Sequence, residues 1–381
     1  MQTDQSQSSR RGAAKAAASA FEANFSDLLR LAAEQNASDL HIDPMDGALR
    51  IRIRVDGVLR VLQWIRGVTY AARFFQQAKR TCGFDMGKVS VPQDRRLRAE
   101  VVPYDLRASL IPTLYGEKIV LRLLQRGKAF SLERYDMPTA AKIDLRRALE
   151  RWQGLVLITG PTGSGKTTLL YSALSEIDTE ENNVHTLEDP VEYELPGTIQ
   201  SSVAPSEMTF AQALRALMRQ DPDVIMVGEI RDEETAKAAV HAASTGHLVL
   251  STIHANSALE SINRLEDFGM THDQVMASLL FASAQRLVPA NCPACATQDL
   301  EHQRLASDAF QNFVAPMVSP GCEACNFTGV YGRVLLFEYL TSKAVPAMGR
   351  RMLQPHGTLK DHAFDYLKKG VINVQHACAF E

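Results

Sequence analysis

No apolar run in this sequence approaches the roughly 20 residues needed to cross a bilayer as a helix, and the opening segment MQTDQSQSSRRGAAKAAASA lacks the hydrophobic core of a secretion signal. Nor does either charge dominate. The 41 basic and 44 acidic side chains leave a formal charge of −3, so bulk charge makes no case for nucleic acid or an anionic membrane as a direct partner. There is no repeat of fixed period, and low-complexity sequence is confined to the N-terminal tail. These absences point to a cytoplasmic chain, with residues 1–24 expected to be a disordered polar tail.

What remains is ordinary for globular domains: 381 residues, 45% hydrophobic and 22% charged, enough for two or three cores. The six cysteines are not ordinary. Cys292 and Cys295 form one C-x-x-C pair and Cys322 and Cys325 another, 26 residues further on. Without a secretion signal, such pairs read as metal ligands before disulfides. Four thiolates suit tetrahedral Zn²⁺ with no open position, although a reactive dithiol or unmetallated buried cysteines would use the same residues. The module spans about 290–332, and its long gap requires a loop or helix between the knuckles. Cys82 and Cys378 read as packing residues.

Apolar spacing predicts a helix from residue 25, followed by strict alternation over 49–55, LRIRIRV, a strand with aliphatics on one side and three arginines on the other. Asp56-Gly57 reads as a hairpin turn. With further strand-like segments at 100–104, 107–111 and 118–123, residues 25–127 form a small α+β domain. Residues 128–150 read as a linker containing a charged helix. Residues 151–381 follow as an α/β domain in which short apolar strands (155–159, 184–187, 224–227, 248–252) alternate with helices, the pattern of a parallel sheet covered on both faces. Two short helices, around 344–353 and 359–369, are expected at the end.

The apolar strand 155–159 runs into Gly160-Pro161-Thr162-Gly163-Ser164-Gly165-Lys166-Thr167, which fits G-x-x-x-x-G-K-[ST] in its proper strand–loop–helix setting. The glycines let backbone N–H groups close around phosphates, and the helix N-terminus adds partial positive charge. Lys166 would reach the β- and γ-phosphates of ATP and Thr167 would hold Mg²⁺, with Thr168 beside it in the cradle. Phosphoryl transfer also needs a metal-holding acid and a group to orient water. Residues 223–229, DVIMVGE, supply a strand ending in Glu229, and Glu188, after strand 184–187, is the candidate for polarising the water.

Several longer motifs then agree. Residues 186–193, TLEDPVEY, resemble the "Asp box" of the ATPases that power type II secretion and type IV pilus assembly. Residues 215–232, RALMRQDPDVIMVGEIRD, are similar to that family's Walker B region, and 245–254, TGHLVLSTIH, to its "His box". Residues 38–42 and 50–59 resemble its second N-terminal domain, and the likeness covers roughly 37–370. It implies a RecA-like P-loop NTPase core carrying the small N-terminal domain and a tetracysteine zinc module. It also implies that His247 and His254 sense the γ-phosphate or couple hydrolysis to movement, and a homohexamer in which Arg96, Arg107 and Arg122 face a neighbour's nucleotide. The implied setting is the inner membrane, reached through a platform protein, with no direct nucleic acid. The cysteines favour assembly or secretion over pilus retraction. A nucleic-acid translocase and a non-hydrolysing regulator are the competing readings. The match departs at Gln93-Asp94-Arg95-Arg96, at Pro289-Ala290 and at Val334-Leu335, positions that bear on subunit and partner contacts. With only about 24 residues before the matching block, docking is expected to use another surface than the usual further N-terminal domain, or the system to be a simpler one.

Overall fold

The computed structural model of the protein describes residues 24–88, 90–125, 129–204, 207–310, 315–345 and 350–380. The chain forms two compact units, one up to Arg126 and one from Gly127.

The first unit runs α1 (Phe25–Glu34), β1 (Asp39–Met45), β2 (Ala48–Val55), β3 (Val58–Arg66), α2 (Val68–Thr81), β4 (Gln93–Arg98), β5 (Tyr104–Thr113) and β6 (Gly116–Gln125). The strands form one antiparallel sheet in the order β3-β2-β1-β6-β5-β4. Alternation decides its faces: Leu40, Ile42, Ile51, Ile53, Leu106, Leu110, Ile119 and Leu121 are buried in one core with Phe25 and Leu29 of α1 and Phe74 of α2. The opposite face keeps the alternate, polar residues. Asp56 and Gly57 turn at φ 51° and 84°, as the hairpin reading requires. Cys82 is buried in this core, and burial pushes its thiol up to about 12.

The second unit begins with α3 (Thr139–Leu149), β7 (Gly154–Thr159), α4 (Lys166–Leu174), β8 (Val184–Glu188), β9 (Ile199–Ser202), α5 (Phe210–Leu217) and β10 (Val224–Ile230). It continues through α6 (Glu233–Ser244), β11 (Leu248–Ile253), α7 (Ala258–Asp267), α8 (His272–Ser278), β12 (Leu279–Asn291), β13 (Thr297–Gln298), α9 (Gln303–Phe310) and β14 (Met317–Val318). β15 (Val330–Val345), β16 (Arg350–His356), α10 (Leu359–Lys368) and α11 (Val374–Cys378) complete it. Its large sheet has the order β16-β15-β12-β7-β11-β10-β8-β9, parallel from β12 to β9 and antiparallel beyond β12. Successive residues of β7 serve opposite cores: Leu155 and Leu157 pack on one face, Val156 and Ile158 on the other. Such two-sided burial is why these strands are continuous apolar runs. Glu338 on β15 fastens the helices to the sheet. Its buried carboxylate accepts from the N–H of Ala258 (2.7 Å) and of Leu359 (3.0 Å), the first residues of α7 and α10.

Two sequence expectations change. Of residues 344–353, expected as a helix, those that are described, 344–345 and 350–353, belong instead to β15 and β16, which pair from Tyr339↔His356 to Val345↔Arg350, and 346–349 lie outside the described residues. The antiparallel hairpin ladder overrides the helix-like spacing. The stretch expected as a linker is packed: Leu132, Met137, Ala141, Leu145 and Ala148 share a core with Leu169 and Leu170 of α4.

Candidate active site

The glycine loop lies where β7 ends and α4 begins, at the carboxyl edge of the parallel strands, the usual place for ligands in such sheets. Gly160, Gly163 and Gly165 have φ of 147°, 79° and 92°, in the region that favours glycine. At Gly160 a Cβ would lie 2.5 Å from the Gln285 carbonyl oxygen, so the loop fits only without a side chain there. Pro161 and Thr162 are exposed, Ser164 is buried, and Thr167 and Thr168 are half-buried in the first turn of α4. The hydroxyl of Thr167 makes no hydrogen bond among the described residues and is available to a ligand. Lys166 Nζ curls over the loop, donating to the carbonyls of Gly160 (2.7 Å) and Pro161 (3.1 Å). Burial holds its ammonium below the ordinary lysine value; Glu229 opposes that shift and Arg286 adds to it.

Two neighbouring strand ends supply the rest. In β10 the pairing with β11 shifts between Val227 and Ile230, and the bulge re-aims Gly228 and Glu229. A Cβ on Gly228 would lie 3.1 Å from the Leu187 carbonyl oxygen, while Thr252 Oγ1 donates to the Gly228 carbonyl at 2.7 Å. Glu229 lies 2.9 Å from His254 Nε2 and accepts from Arg231 Nε at 2.8 Å. Thr159 Oγ1 clips the end of β7 to Ala255, donating to its carbonyl (2.9 Å) and accepting from its N–H (2.8 Å). Lys166, Glu229 and His254 are thereby gathered at one end of the sheet.

Glu188 and His247 behave differently. Glu188 is buried, and its carboxylate accepts from Tyr171 of α4, from Thr186 (2.7 Å) and from Gln200 of β9 (3.1 Å). Burial pushes its carboxyl above the ordinary value, against the pull of those three donors. His247 lies at the start of β11, where its carbonyl accepts from Gly154 N–H and its ring contacts the Ala242 carbonyl at 3.1 Å. Since β11 runs parallel to β7, with Leu248 beside Gly154 and Ile253 beside Thr159, His247 is at the far end of the strand from this subunit's own loop. At about 3.3 Å per residue the separation is roughly 20 Å. The sensor role expected for His247 therefore has no support from its own subunit's geometry, in contrast to His254.

Sequence reasoning passed over the residues beneath the loop. Gln285 Nε2 donates to the Ser164 carbonyl (2.7 Å) and to Tyr135 Oη (2.9 Å), and Tyr135 Oη lies 3.3 Å from the Gly165 carbonyl, to which it donates. Neither residue carries charge or belongs to the loop motif, so only the fold brings them into view.

In the first unit, pairing puts the expected arginines in line. Arg96 faces Arg107 across β4–β5, Arg107 faces Arg122 across β5–β6, Arg122 faces Asp39 and Asp39 faces Arg54. Like charges directly opposite one another are destabilising. Asp105 lies 3.6 Å from Arg96, and Asp39 lies 3.4 Å from Arg122, whereas Arg107 has no ion pair among the described residues. Beside this row, buried Asp43 meets Arg52 (2.6 Å), Lys118 (3.1 Å) and Arg50 (3.4 Å). The face therefore keeps an excess of cations suited to an anion.

The cysteine pairs close on one another at the ends of β12 and β15. Cys292 and Cys322 sulfurs are 3.9 Å apart, Cys295 and Cys325 4.0 Å, and all four lie within 4.8 Å. A tetrahedral ion with Zn–S near 2.3 Å calls for about 3.8 Å between sulfurs, so the donor set fits. Burial would raise the Cys325 thiol, but N–H groups of Cys322 (3.1 Å) and Gly329 (3.3 Å) outweigh it and hold it down to about 6. Helix α9 occupies the gap between the knuckles.

Among known proteins, the family described as "Type II/IV secretion system protein" matches residues 15–362. Type II secretion system protein E of Klebsiella pneumoniae is 45% identical over 322 residues, which cover 82% of this chain and 64% of that protein. The protein transport protein HofB homolog of Escherichia coli K12 is 44% identical over 82% of this chain and 68% of its own length, so the chain spans about two thirds of such relatives. The crystal structure of the pilus retraction motor PilT with bound ADP superimposes with a TM-score of 0.63 at 25% identity, covering 94% of this chain and 97% of that one. The ATPase DotB of Legionella pneumophila has the same fold, with a TM-score of 0.64 at 23% identity. The sequence likeness extends over most of both units, and the chain belongs to the type II/IV secretion system protein family.

Proposed function

We propose that this chain is a Mg²⁺-dependent ATPase acting as a homohexameric motor for type II-like secretion or pilus assembly. It would work on the cytoplasmic face of the inner membrane, docked on a platform protein. The observation that supports this best is the gathering of Lys166, Glu229 and His254 around a glycine loop at the carboxyl edge of the sheet. Residues 160–168 would hold the phosphates of ATP, with Lys166 neutralising their charge. Thr167 and Glu229 would hold Mg²⁺, which supplies electrostatic stabilisation of the transferring phosphoryl group. His254, 2.9 Å from Glu229, is the group placed to respond to the terminal phosphate. Glu188, with three donors on about four acceptor sites, keeps room at Oε2 for a water it would polarise, and Tyr171, Thr186 and Gln200 would hold the carboxylate in place.

In a ring, the Arg96–Arg107–Arg122 row is proposed to meet the neighbour's nucleotide, whose negative charge would relieve its self-repulsion. His247, remote from its own loop, has no part in this scheme within one subunit. The four cysteines are proposed to hold a structural Zn²⁺, and their presence favours assembly or secretion over retraction. No helix among the described residues is long and apolar enough to cross a membrane, in keeping with attachment through a partner.

Phosphate release measured on size-separated oligomers tests the reading. Activity should concentrate in the hexamer, and Glu229→Gln should retain nucleotide while losing turnover. Full activity in dilute monomer would refute action between subunits, and stimulation by DNA would favour a translocase.

A further inference from the structure

The phosphate cradle is held from behind by two neutral residues. A trans peptide is planar, so its C=O and the following N–H point in opposite directions. Fixing the carbonyl of Ser164 therefore fixes the N–H of Gly165, and fixing that of Gly165 fixes the N–H of Lys166. The first carbonyl accepts from Gln285 Nε2 at 2.7 Å and the second from the Tyr135 hydroxyl at 3.3 Å. The two anchors are themselves joined, because the other Gln285 amide hydrogen goes to Tyr135 Oη at 2.9 Å. Both side chains press close to the loop: a Cβ on Gly165 would lie 3.1 Å from Tyr135 Oη and 3.2 Å from Gln285 Nε2. Gln285 has no exposed surface, and it reaches the loop from β12, whereas Tyr135 reaches it from the turn before α3.

We propose that Gln285 and Tyr135 are positioning residues for nucleotide binding, a clasp that turns the carbonyls of Ser164 and Gly165 outward so that the N–H groups of Gly165 and Lys166 are aimed at the phosphates before ligand arrives. A loop without the clasp could rotate these peptides and present carbonyl oxygens to an anion. The clasp exceeds the glycine-loop motif, which names no residue outside the loop, and it rests on the nucleotide-binding reading given above. Preorganised donors of this kind cost nothing to reorient when ligand arrives, which is where their contribution lies.

The test uses the full chain and two probes, fluorescent ADP and inorganic pyrophosphate as its competitor, the second reading the cradle alone. Tyr135→Phe removes one oxygen and Gln285→Met both amide donors at nearly constant volume. Pyrophosphate and ADP affinities should fall together, about tenfold for Gln285→Met and about threefold for Tyr135→Phe, estimates that correspond to one or two neutral hydrogen bonds. The double variant should lose less than the product of the two, since the residues share a bond. Ligand-free melting temperatures report a purely structural role. Unchanged pyrophosphate affinity in Tyr135→Phe, or loss of ADP affinity without loss of pyrophosphate affinity, overturns the proposal, and Tyr135→Phe decides alone if Gln285→Met does not fold. Should the wild-type chain bind neither probe with magnesium, the nucleotide reading itself fails.

Discussion

The two units arrange their charges in opposite ways. Around Lys166 the second unit uses neutral donors, glycines that admit close backbone, and few charges, each partnered: Glu229 with His254 and Arg231, Lys166 with loop carbonyls. The exposed sheet face of the first unit instead sets Arg107 between Arg96 and Arg122, with no ion pair of its own among the described residues. The first arrangement is complete within one chain. The second is stressed as it stands, and a stressed row of cations makes sense when its counter-charge comes from outside. A site that is satisfied alone and a site that is not would complement one another in the proposed ring of identical subunits.

This contrast can be broken most decisively at Arg107. Arg107→Ala is expected to lower ATP turnover by about 10³-fold, the lower end of what an arginine acting between subunits contributes, as measured by steady-state phosphate release. Because it also removes like-charge repulsion, the same substitution should leave stability unchanged or raise it by up to about 1 kcal/mol in urea unfolding. A destabilised variant would mean that the row is internally compensated after all. Lys166→Ala should reduce turnover by about 10²–10³-fold and weaken fluorescent ADP binding, a loss in cis that mixing with wild-type subunits cannot relieve in the mutant sites. Removal of metal by a strong chelator should unfold the cysteine module, read as zinc release together with a lower melting temperature. Zinc binding supplies roughly 10–16 kcal/mol in isolated zinc-finger peptides, and most of that is the module's own folding energy.

The smallest effect is a pH dependence. Burial lowers the Lys166 value in the free protein, so the charged amine is lost at lower pH than in an exposed lysine, whose value is about 10.4. The alkaline limb of kcat/KM, which reports the free enzyme, should therefore fall below that pH. Glu229 is the charge that raises Lys166. A more conservative readout than turnover is pyrophosphate affinity, whose alkaline limb should move further down in Glu229→Gln. No movement would separate Glu229 from Lys166 electrostatically.

The strands 155–159, 184–187, 224–227 and 248–252 and the loop after the first were legible because two-sided burial writes itself as uninterrupted apolar sequence and phosphate contact demands glycine. The α2 helix was equally available, in the spacing of Ala71, Phe74, Phe75 and Ala78, but went unread. The β12 strand was not legible. Its residues, LLFASAQRLVPAN, leave one environment for another along their length, parallel neighbour on one side and antiparallel on the other, so no single period describes them. The β16 strand pairs with the end of β15 just before it in sequence, a hairpin that helix-like apolar spacing concealed. In the site, charged and glycine-bearing positions could be named from the sequence, whereas Gln285, Tyr135 and the cage around Glu188 are neutral contacts created by topology. His247 and His254 share one motif seven residues apart, and the extended strand β11 places them at opposite ends within one subunit.

That same long strand, β12, has a further consequence. It contributes Gln285 to the floor of the glycine loop and ends at Asn291, one residue before the first of the four clustered cysteines. Its backbone is paired with β15 across most of this span, so the segment behaves as a stiff spar rather than a tether. A metal clamped at its tip would keep that spar from fraying inward. Hydrogen exchange in residues 285–291 should then quicken on demetallation, and the grip on ADP should slacken at a distance from the sulfurs. Identical exchange with and without metal would show that the tip and the floor are independent.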